Sequence, residues 1–260
     1  MKSRLILVLL IATLAATLIA VKQSSQKPER LPKETLDEKL LRLPVTDLTA
    51  SDIADPEKKR LRQIRNAKHN SEAGPDGQKR AVLSERLETV VLDLPLTTHA
   101  EEPALPIDQS DVVIVGRVTN VNAYISEDKT TVYSEATVKV EEVLTGESPI
   151  QPGDVVTTTR DGGAVRLPSG KILRRGRLGR NIPEASRTYL FFLDYLDEIK
   201  DFSIITAYEL SEGVVTPLDG TITIHRGGRF TLFRGYESYA GQAASILLAD
   251  VRAAISKKSK

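Results

Sequence analysis

The stretch that decides the fold is "TTVYSEATVKVEEVLTG", residues 130–146. Every second side chain along it would lie on one face of an extended chain: Val132, Ser134, Ala136, Val138 and Val140. The side chains between them would lie on the opposite face: Tyr133, Glu135, Thr137, Lys139 and Glu141. Because successive side chains of a β-strand point to opposite sides, this alternation is typical of a strand that buries one face. The stretch therefore predicts a long strand over a hydrophobic core.

Strand-like segments continue on both sides of this stretch. The apolar run "DVVIVGRVTNV" at 111–121 precedes it, and short segments separated by Gly, Pro and Asp turn signals follow as far as "RFTLF" at 229–233. Many short strands with regular breaks are typical of an antiparallel barrel or sandwich. The predicted fold class is mainly β, with a β-barrel domain over residues 109–235.

The last segment, "YESYAGQAASILLADVRAAISKK" at 236–258, has the pattern of an amphipathic helix. Its apolar side chains share one face at helical spacing: Tyr239, Ala243, Leu247, Val251 and Ala254. Lys257 and Lys258 suit the negative end of the helix dipole. We expect a C-terminal helix that packs on the barrel.

Four short segments carry a resemblance to a known family: "SDVVIVGRV" at 110–118, "VKVEEVLTG" at 138–146, "PGD" at 152–154 and "YLFFL" at 189–193. In this spacing the chain resembles uncharacterised extracytoplasmic bacterial proteins whose barrels are similar to the OB-fold of netrin and metalloprotease-inhibitor modules. The resemblance covers residues 108–217 and implies an OB-like antiparallel barrel, to which the sequence adds a further hairpin. Metalloprotease inhibitors of that shape reach the metal with an N-terminal Cys. This chain has no Cys, so inhibitory activity is not implied.

The first 21 residues, "MKSRLILVLLIATLAATLIAV", combine a positive start with an uncharged apolar run from Leu5 to Val21. The run is at the low end of the length of a membrane span. A signal peptide is cleaved after a small-x-small sequence, but Leu18 would stand two residues before a cleavage at Ala20. We therefore favour an uncleaved signal-anchor, which predicts a single-pass protein of the cell membrane with its bulk outside the cytoplasm. Secretion after signal cleavage is the alternative.

Residues 22–108 predict a charged, proline-containing stalk, partly helical and partly disordered. They hold eight of the thirteen prolines and few clusters of aromatic or β-branched residues, so they cannot bury a core alone. One helix is expected near 56–69, because Asp55 is a good N-cap and Pro56 fits the first helical position. A thin apolar stripe on this helix would be formed by Leu61 and Ile64.

A basic stretch, "RDGGAVRLPSGKILRRGRLGR" at 160–180, is predicted to form a hairpin that turns at "PSG". Its seven cations are Arg160, Arg166, Lys171, Arg174, Arg175, Arg177 and Arg180. One interpretation is a cationic surface for an anionic lipid, an envelope polymer or an acidic protein. The other is a solvated loop, with or without pairing to an acidic turn. The acids of that turn are Asp194, Asp197, Glu198 and Asp201. The compartment disfavours nucleic acid, and so does the lack of a stacking aromatic residue in the stretch.

The segment "TITIHRGGRFTLF" at 221–233 predicts a second hairpin, which turns at Gly227 and Gly228. In a two-residue turn Arg226 would lie directly opposite Arg229, and like charges in that position destabilise the pairing. Water at an exposed tip would relieve the repulsion, and so would an acidic side chain or a bound anion. The last possibility makes both arginines candidate anion-binding residues.

The sequence contains no recognised catalytic, metal or nucleotide motif. Without Cys there is no thiolate nucleophile, disulfide or Cys-ligated zinc. A G-x-S-x-G elbow, an H-E-x-x-H helix, a calcium loop and a glycine-rich nucleotide turn are also absent. We therefore predict no catalytic residue, metal ligand or cofactor. The net charge of +1 gives no global attraction to polyanions. The function hypothesis is a non-enzymatic binding or scaffold module, and the alternative is a secreted hydrolase with an unrecognised site.

Overall fold

The computed structural model describes residues 35–49, 55–70, 81–93, 102–146, 150–223, 229–231 and 234–258. All of them belong to one compact unit, residues 34–260. The predicted signal-anchor at 1–21 lies outside the described residues. Within the described ranges, no helix combines the length and the apolar character needed to span a membrane. The membrane anchor therefore stays a prediction.

Strands dominate the described part of the chain. They are β1 (Val45–Asp47), β2 (Val90–Asp93), β3 (Val112–Ile125), β4 (Val132–Gly146), β5 (Val155–Asp161), β6 (Gly163–Arg166), β7 (Ile172–Arg177), β8 (Thr188–Leu196), β9 (Asp201–Ser211), β10 (Val214–Pro217), β11 (Thr221–Thr223) and β12 (Arg229–Thr231). The helices are α1 (Leu36–Leu41), α2 (Pro56–Lys68) and α3 (Ala244–Lys258), with short 3-10 helices at Ile107–Gln109 and Arg234–Tyr239. The predicted fold class, mainly β, is confirmed.

Five strands close into a ring through their main-chain hydrogen bonds. β3 pairs with β4 on one side and with β8 on the other, β4 pairs with β5, and β9 joins β5 to β8. The pairing of β5 with β9 is parallel, and the other pairings of the ring are antiparallel. β10 extends the sheet along the edge of β9. The likeness of this ring to the OB-fold stays a prediction.

The alternation over residues 130–146 is confirmed by the interior of the ring. The side chains on the expected inner face are all buried: Val132, Ser134, Ala136, Val138 and Val140. Ala136, Val138 and Val140 enter the core of the ring, which contains Phe191 of β8 and Phe202 of β9. Gly116 of β3 lies so close to β4 that a Cβ in its place would meet Val138 Cγ1 at 2.5 Å. A larger residue at position 116 would therefore push the two longest strands apart.

α3 covers the outer side of the ring where β3 and β8 meet, as the apolar face of its sequence predicts. Leu247 and Val251 of the helix are fully buried in the core that these strands share with it. The helix begins at Ala244, later than predicted. Gly241 has a positive φ of 78° and donates its N–H to the Val215 carbonyl of β10 at 2.8 Å. This turn ties the chain to the sheet edge, so the helix cannot start before it.

A second, four-stranded sheet contains the basic hairpin. Its strand order is β1-β6-β7-β2, in which β6 and β7 pair antiparallel while β1 and β2 flank them in parallel. Val165 and Leu173 lie opposite each other in the hairpin and are buried with Ala123 and Val132 from β3 and β4. Leu83, which precedes β2, completes this cluster. The hairpin is therefore built into the fold and does not project from it.

The described part of the predicted stalk packs on the barrel and on the small sheet. α2 lies where a helix is expected, with Asp55 as its N-cap and Pro56 in its first turn. Leu40, Leu83 and Ile107 are all buried. This arrangement differs from a stalk that holds the barrel at a distance. Composition could not predict this packing, because the surfaces that these residues cover are formed by later parts of the chain.

Candidate functional site

The basic stretch divides into a buried part and an exposed part because its hairpin lies on a core. In β7, Arg175 shares a side with the buried Leu173, and Arg174 lies on the opposite side. Arg175 accordingly has only 5% of its surface exposed, while Arg174 is partly exposed. The stretch is therefore not one continuous cationic surface.

Arg160 and Arg180, at the two ends of the basic stretch, bind the same carboxylate, that of Asp219. Both terminal nitrogens of Arg160 donate to Asp219, each at 2.8 Å. Arg180 Nη1 donates to Asp219 Oδ2 at 3.3 Å, and Arg180 Nη2 donates to Glu102. We call Arg160, Arg180, Asp219 and Glu102 the buried arginine cluster.

The charges of the buried arginine cluster satisfy one another. The side chain of Asp219 has no exposed surface, and it also accepts from the Thr206 hydroxyl at 2.9 Å and the Asn181 N–H at 3.0 Å. Burial alone would lower the pKa of Arg180, but Asp219, Tyr236 and Glu102 together outweigh burial and hold that pKa above its ordinary value. Separating a buried pair of this kind costs about 3–5 kcal/mol. Arg160 and Arg180 are therefore structural residues and do not offer their charge to an external anion.

The acidic turn that was expected to neutralise the basic stretch contacts α2 instead. Asp201 accepts from Arg65 Nη2 at 2.8 Å, and Glu198 lies 3.2 Å from Lys68. The acids that the structure does bring to the stretch, Asp219 among them, come from other parts of the chain. The expected pairing is wrong for Asp201 and Glu198, because the end of β8 and the start of β9 lie beside α2.

Outside the buried arginine cluster, four cations of the basic stretch reach the solvent at least in part: Arg166, Lys171, Arg174 and Arg177. Arg166 lies 3.3 Å from Asp47 of β1 in an exposed ion pair. Lys171 Nζ donates to two carbonyls in the segment before β2, at 2.8 and 2.7 Å. Arg174 Nε donates to the Leu40 carbonyl of α1 at 3.1 Å. These contacts hold N-terminal segments against the hairpin and leave part of each charge accessible.

The second hairpin has a different register from the one predicted. Thr223 of β11 lies opposite Arg229 of β12, so residues 224–228 connect the two strands. A two-residue turn would have placed Arg226 opposite Arg229, and this pairing is wrong because Arg229 lies opposite Thr223. Arg226 and the side chain of Arg229 lie outside the described residues.

A further charged site, which the sequence analysis did not predict, lies where α2 crosses the outer side of the barrel. Arg62 of α2 donates to both carboxylate oxygens of Glu135, one of them at 3.0 Å. Arg62 Nη1 also donates to the Tyr133 hydroxyl at 3.0 Å, and the guanidinium carbon lies 3.4 Å from the centre of the Tyr124 ring. Burial alone would lower the pKa of Arg62, but the hydrogen bond and charge of Glu135, together with Tyr133 and Tyr124, outweigh burial and raise that pKa. The charged pair is therefore maintained out of water.

Arg65 and His69 continue this contact along the helix. Arg65 donates to both carboxylate oxygens of Asp201 at the start of β9, and only 4% of the Asp201 side chain remains exposed. The His69 ring stacks on Tyr133 with 3.9 Å between the ring centres. His69 Nδ1 lies 2.7 Å from a carboxylate oxygen of Asp161. We call the barrel residues beneath α2 the helix-covered face: Tyr124, Tyr133, Glu135 and Asp201.

The side of α2 that docks on the barrel is polar, in contrast to the apolar stripe expected from Leu61 and Ile64. The docking side is formed by Arg62, Arg65, Asn66 and His69. These residues have the spacing of a single helix face, which is visible in the sequence. Their partners on the barrel cannot be identified from the sequence, because Tyr133 and Glu135 lie on the face of β4 that the alternation assigns to solvent. The site could therefore not be predicted.

The contacts of this site suit binding better than a reaction. Its arginines and carboxylates satisfy one another, and the contacts of His69 with Tyr133 and Asp161 hold its ring in place. In the part of the chain that the structure describes, no group of three or more His, Asp or Glu side chains could hold a metal ion.

No protein-family model matches the chain, and a search of curated proteins found no match. The resemblance to extracytoplasmic barrel proteins therefore stays a prediction.

Proposed function

We propose that the chain is a non-enzymatic binding or scaffold module, anchored by residues 1–21 with its bulk outside the cytoplasm, which rests on anionic lipid. The observation that supports this proposal is the outer face of the small sheet, the side turned away from the core. By strand register the outer face contains Val45, Asp47, Ala164, Arg166, Ile172, Arg174 and Val90, and Asp47 forms an exposed ion pair with Arg166 on this face. Of the nine cations that the sequence predicts as candidate anion-binding residues, Arg166 and Arg174 lie on this face.

The outer face combines cations with exposed apolar side chains. Arg166 and Arg174 lie on the two central strands, and Val45 and Val90 lie on the flanking strands with 44% and 37% of their surfaces exposed. Leu41, which ends α1 just before β1, is 70% exposed. Apolar side chains enter the interfacial region of a bilayer while neighbouring cations meet anionic headgroups. A soluble anionic polymer would contact the cations but would not bury the exposed apolar side chains.

The predicted anchor also favours lipid over an envelope polymer or an acidic protein. Tethering a chain to a bilayer raises the effective concentration of lipid around its surfaces, so a weak contact is sufficient. No contact described above supports the alternative of a secreted hydrolase, which stays a prediction only.

The proposal is tested by cosedimentation of the compact unit, residues 34–260, with vesicles of anionic or zwitterionic lipid. Each cation near an anionic surface contributes about 1 kcal/mol. The Arg166→Ser/Arg174→Ser variant should therefore bind anionic vesicles up to about thirtyfold more weakly than the native unit. High salt should reduce this difference, since the screening length falls to about 3 Å at 1 M.

The matched control is Arg117→Ser/Lys139→Ser, which removes two exposed cations from β3 and β4 on the barrel wall. This variant should bind as the native unit does, and all three proteins should unfold at the same temperature. The proposal fails if the native unit does not bind anionic vesicles, or if both variants lose binding equally. Retention by a soluble polyanion without binding to vesicles would assign the outer face to a polymer.

A further inference from the structure

We propose that the helix-covered face is a recognition site for an arginine-bearing helix of a partner protein, and that α2 is the occupant that this chain supplies itself. The partner helix would repeat the spacing of Arg62, Arg65 and His69. This inference is independent of the lipid contact, because the outer face belongs to the small sheet and the helix-covered face belongs to the barrel.

The chemistry of the face selects guanidinium groups. Glu135 and Asp201 each accept from two nitrogens of one arginine, the fork geometry that an arginine fits and a lysine does not. The Tyr124 ring lies 3.4 Å from the Arg62 guanidinium carbon, where a cation gains from the face of the ring. The carboxylates also repel an acidic ligand. The face therefore suits two arginines held one helical turn apart.

The polar character of the contact makes the occupant replaceable. No residue of α2 is fully buried, and the side chains that it covers most, Arg62 and Arg65, are charged, so releasing the helix exposes little apolar surface of its own. The carboxylates of Glu135 and Asp201 need cationic partners wherever they are covered, and an equivalent helix would supply the same ones. Segments with few buried apolar contacts are those that open locally at low free energy. When a partner helix with the same charged side chains replaces α2, the contacts that the barrel gains therefore match those that it loses.

The proposal is tested by titrating a labelled peptide with the sequence of residues 55–70 into the full chain. The Arg62→Ser/Arg65→Ser chain, whose own helix competes less, should bind the peptide at least tenfold more tightly than the native chain. A peptide with both arginines replaced by serine should bind that variant at least tenfold more weakly. The matched control chain is Lys58→Ser/Arg60→Ser, which removes two exposed cations of the same helix. It should bind the peptide as weakly as the native chain does.

Hydrogen exchange of the native full chain gives a second measurement, which does not depend on the folding of a variant. Excess native peptide should speed the exchange of α2 amides and leave β4 amides unchanged, and the serine peptide should do neither. The proposal is overturned if α2 exchange does not respond, or if the folded double variant binds neither peptide. A native dimer that the double variant loses would also overturn it, in favour of a second copy as the source of the helix.

Discussion

A single buried carboxylate, that of Asp219, joins segments that are far apart in the sequence. It accepts from Arg160 of β5, from Arg180 after β7 and from the Thr206 hydroxyl of β9. Because its side chain has no exposed surface, these donors replace all of its water. The carboxylate therefore fixes the position of both ends of the basic stretch.

Replacing Asp219 by Asn should destabilise the fold strongly, since two arginines then lose the charge that offsets their burial. We expect the free energy of unfolding to fall by about 3–5 kcal/mol. The control, Asp47→Asn, removes the partner of the exposed Arg166 and should cost no more than about 1 kcal/mol. Denaturant unfolding followed by circular dichroism measures both. Similar losses in the two variants would contradict a structural role for the buried pair.

The carboxyl of Asp194 gives the fold a pH dependence. Partial burial raises the pKa of Asp194 above its usual 3.8, the hydrogen bond and charge of Asp111 add to this, and Lys68 opposes it. The native state thus holds this proton more tightly than the unfolded chain. The protonated Asp194 carboxyl therefore adds to the free energy of unfolding. This contribution is fully present below pH 3.8 and is lost as the pH rises through the raised pKa. Asp194→Asn should flatten the unfolding free energy over that range, and an unchanged slope in urea titrations at several pH values would refute this.

At the scale of elements, two helices pack on the same barrel by different chemistry. α3 buries Leu247 and Val251 completely, whereas α2 docks through arginines and a histidine. Burial of apolar side chains stabilises a fold more than polar contacts such as those of α2 do, and it is less specific for its partner. We therefore expect α3 to be part of the stable core and α2 to open first.

Two neighbouring residues of α3 test the contribution of its buried face. Leu247→Ala removes a fully buried side chain and should cost about 2–5 kcal/mol, while Ile246→Ala, at a position 49% exposed, should change stability by less than about 0.5 kcal/mol. Thermal and chemical unfolding of the two variants provide the comparison. A cost at position 246 as large as that at 247 would mean that the helix packs differently.

At the scale of the whole molecule, the N-terminal segments complete the fold. β1 and β2 form the two edges of the small sheet, and α1 and α2 contact the hairpin and the barrel. Ile107, in the last part of the predicted stalk, is buried beneath α3. The described residues between 35 and 108 therefore belong to the same unit as the barrel.

Limited proteolysis tests this arrangement. The Ser, Gly, Pro and Asp residues of 71–77 predict the first cut there. Composition also predicts sensitivity at 100–108, but residues 102–108 should resist because Ile107 is buried. Since α2 on one side and Leu83 on the other both contact the barrel unit, the fragments should migrate together on a native gel. An early cut at 102–108, or separation of the fragments, would show that these segments are a stalk after all.

Secondary-structure elements that depend on neighbouring residues only were predictable from the sequence. The alternation over 130–146 predicts β4 and its inner face, and Asp55 with Pro56 predicts the start of α2. Such predictions need only neighbouring residues, because backbone geometry sets the direction of alternate side chains and the hydrogen bonds of a helix cap.

Only the tertiary structure decided which charges are buried. Arg160 and Arg166 stand in one basic stretch, and no local pattern distinguishes them. Arg160 is buried because its partner, Asp219, is brought to it from 59 residues away, and Arg62 is covered because β4 presents Glu135 beneath α2. The cost of burying a charge depends on the distance to its counter-charge, and strand pairing in three dimensions sets that distance.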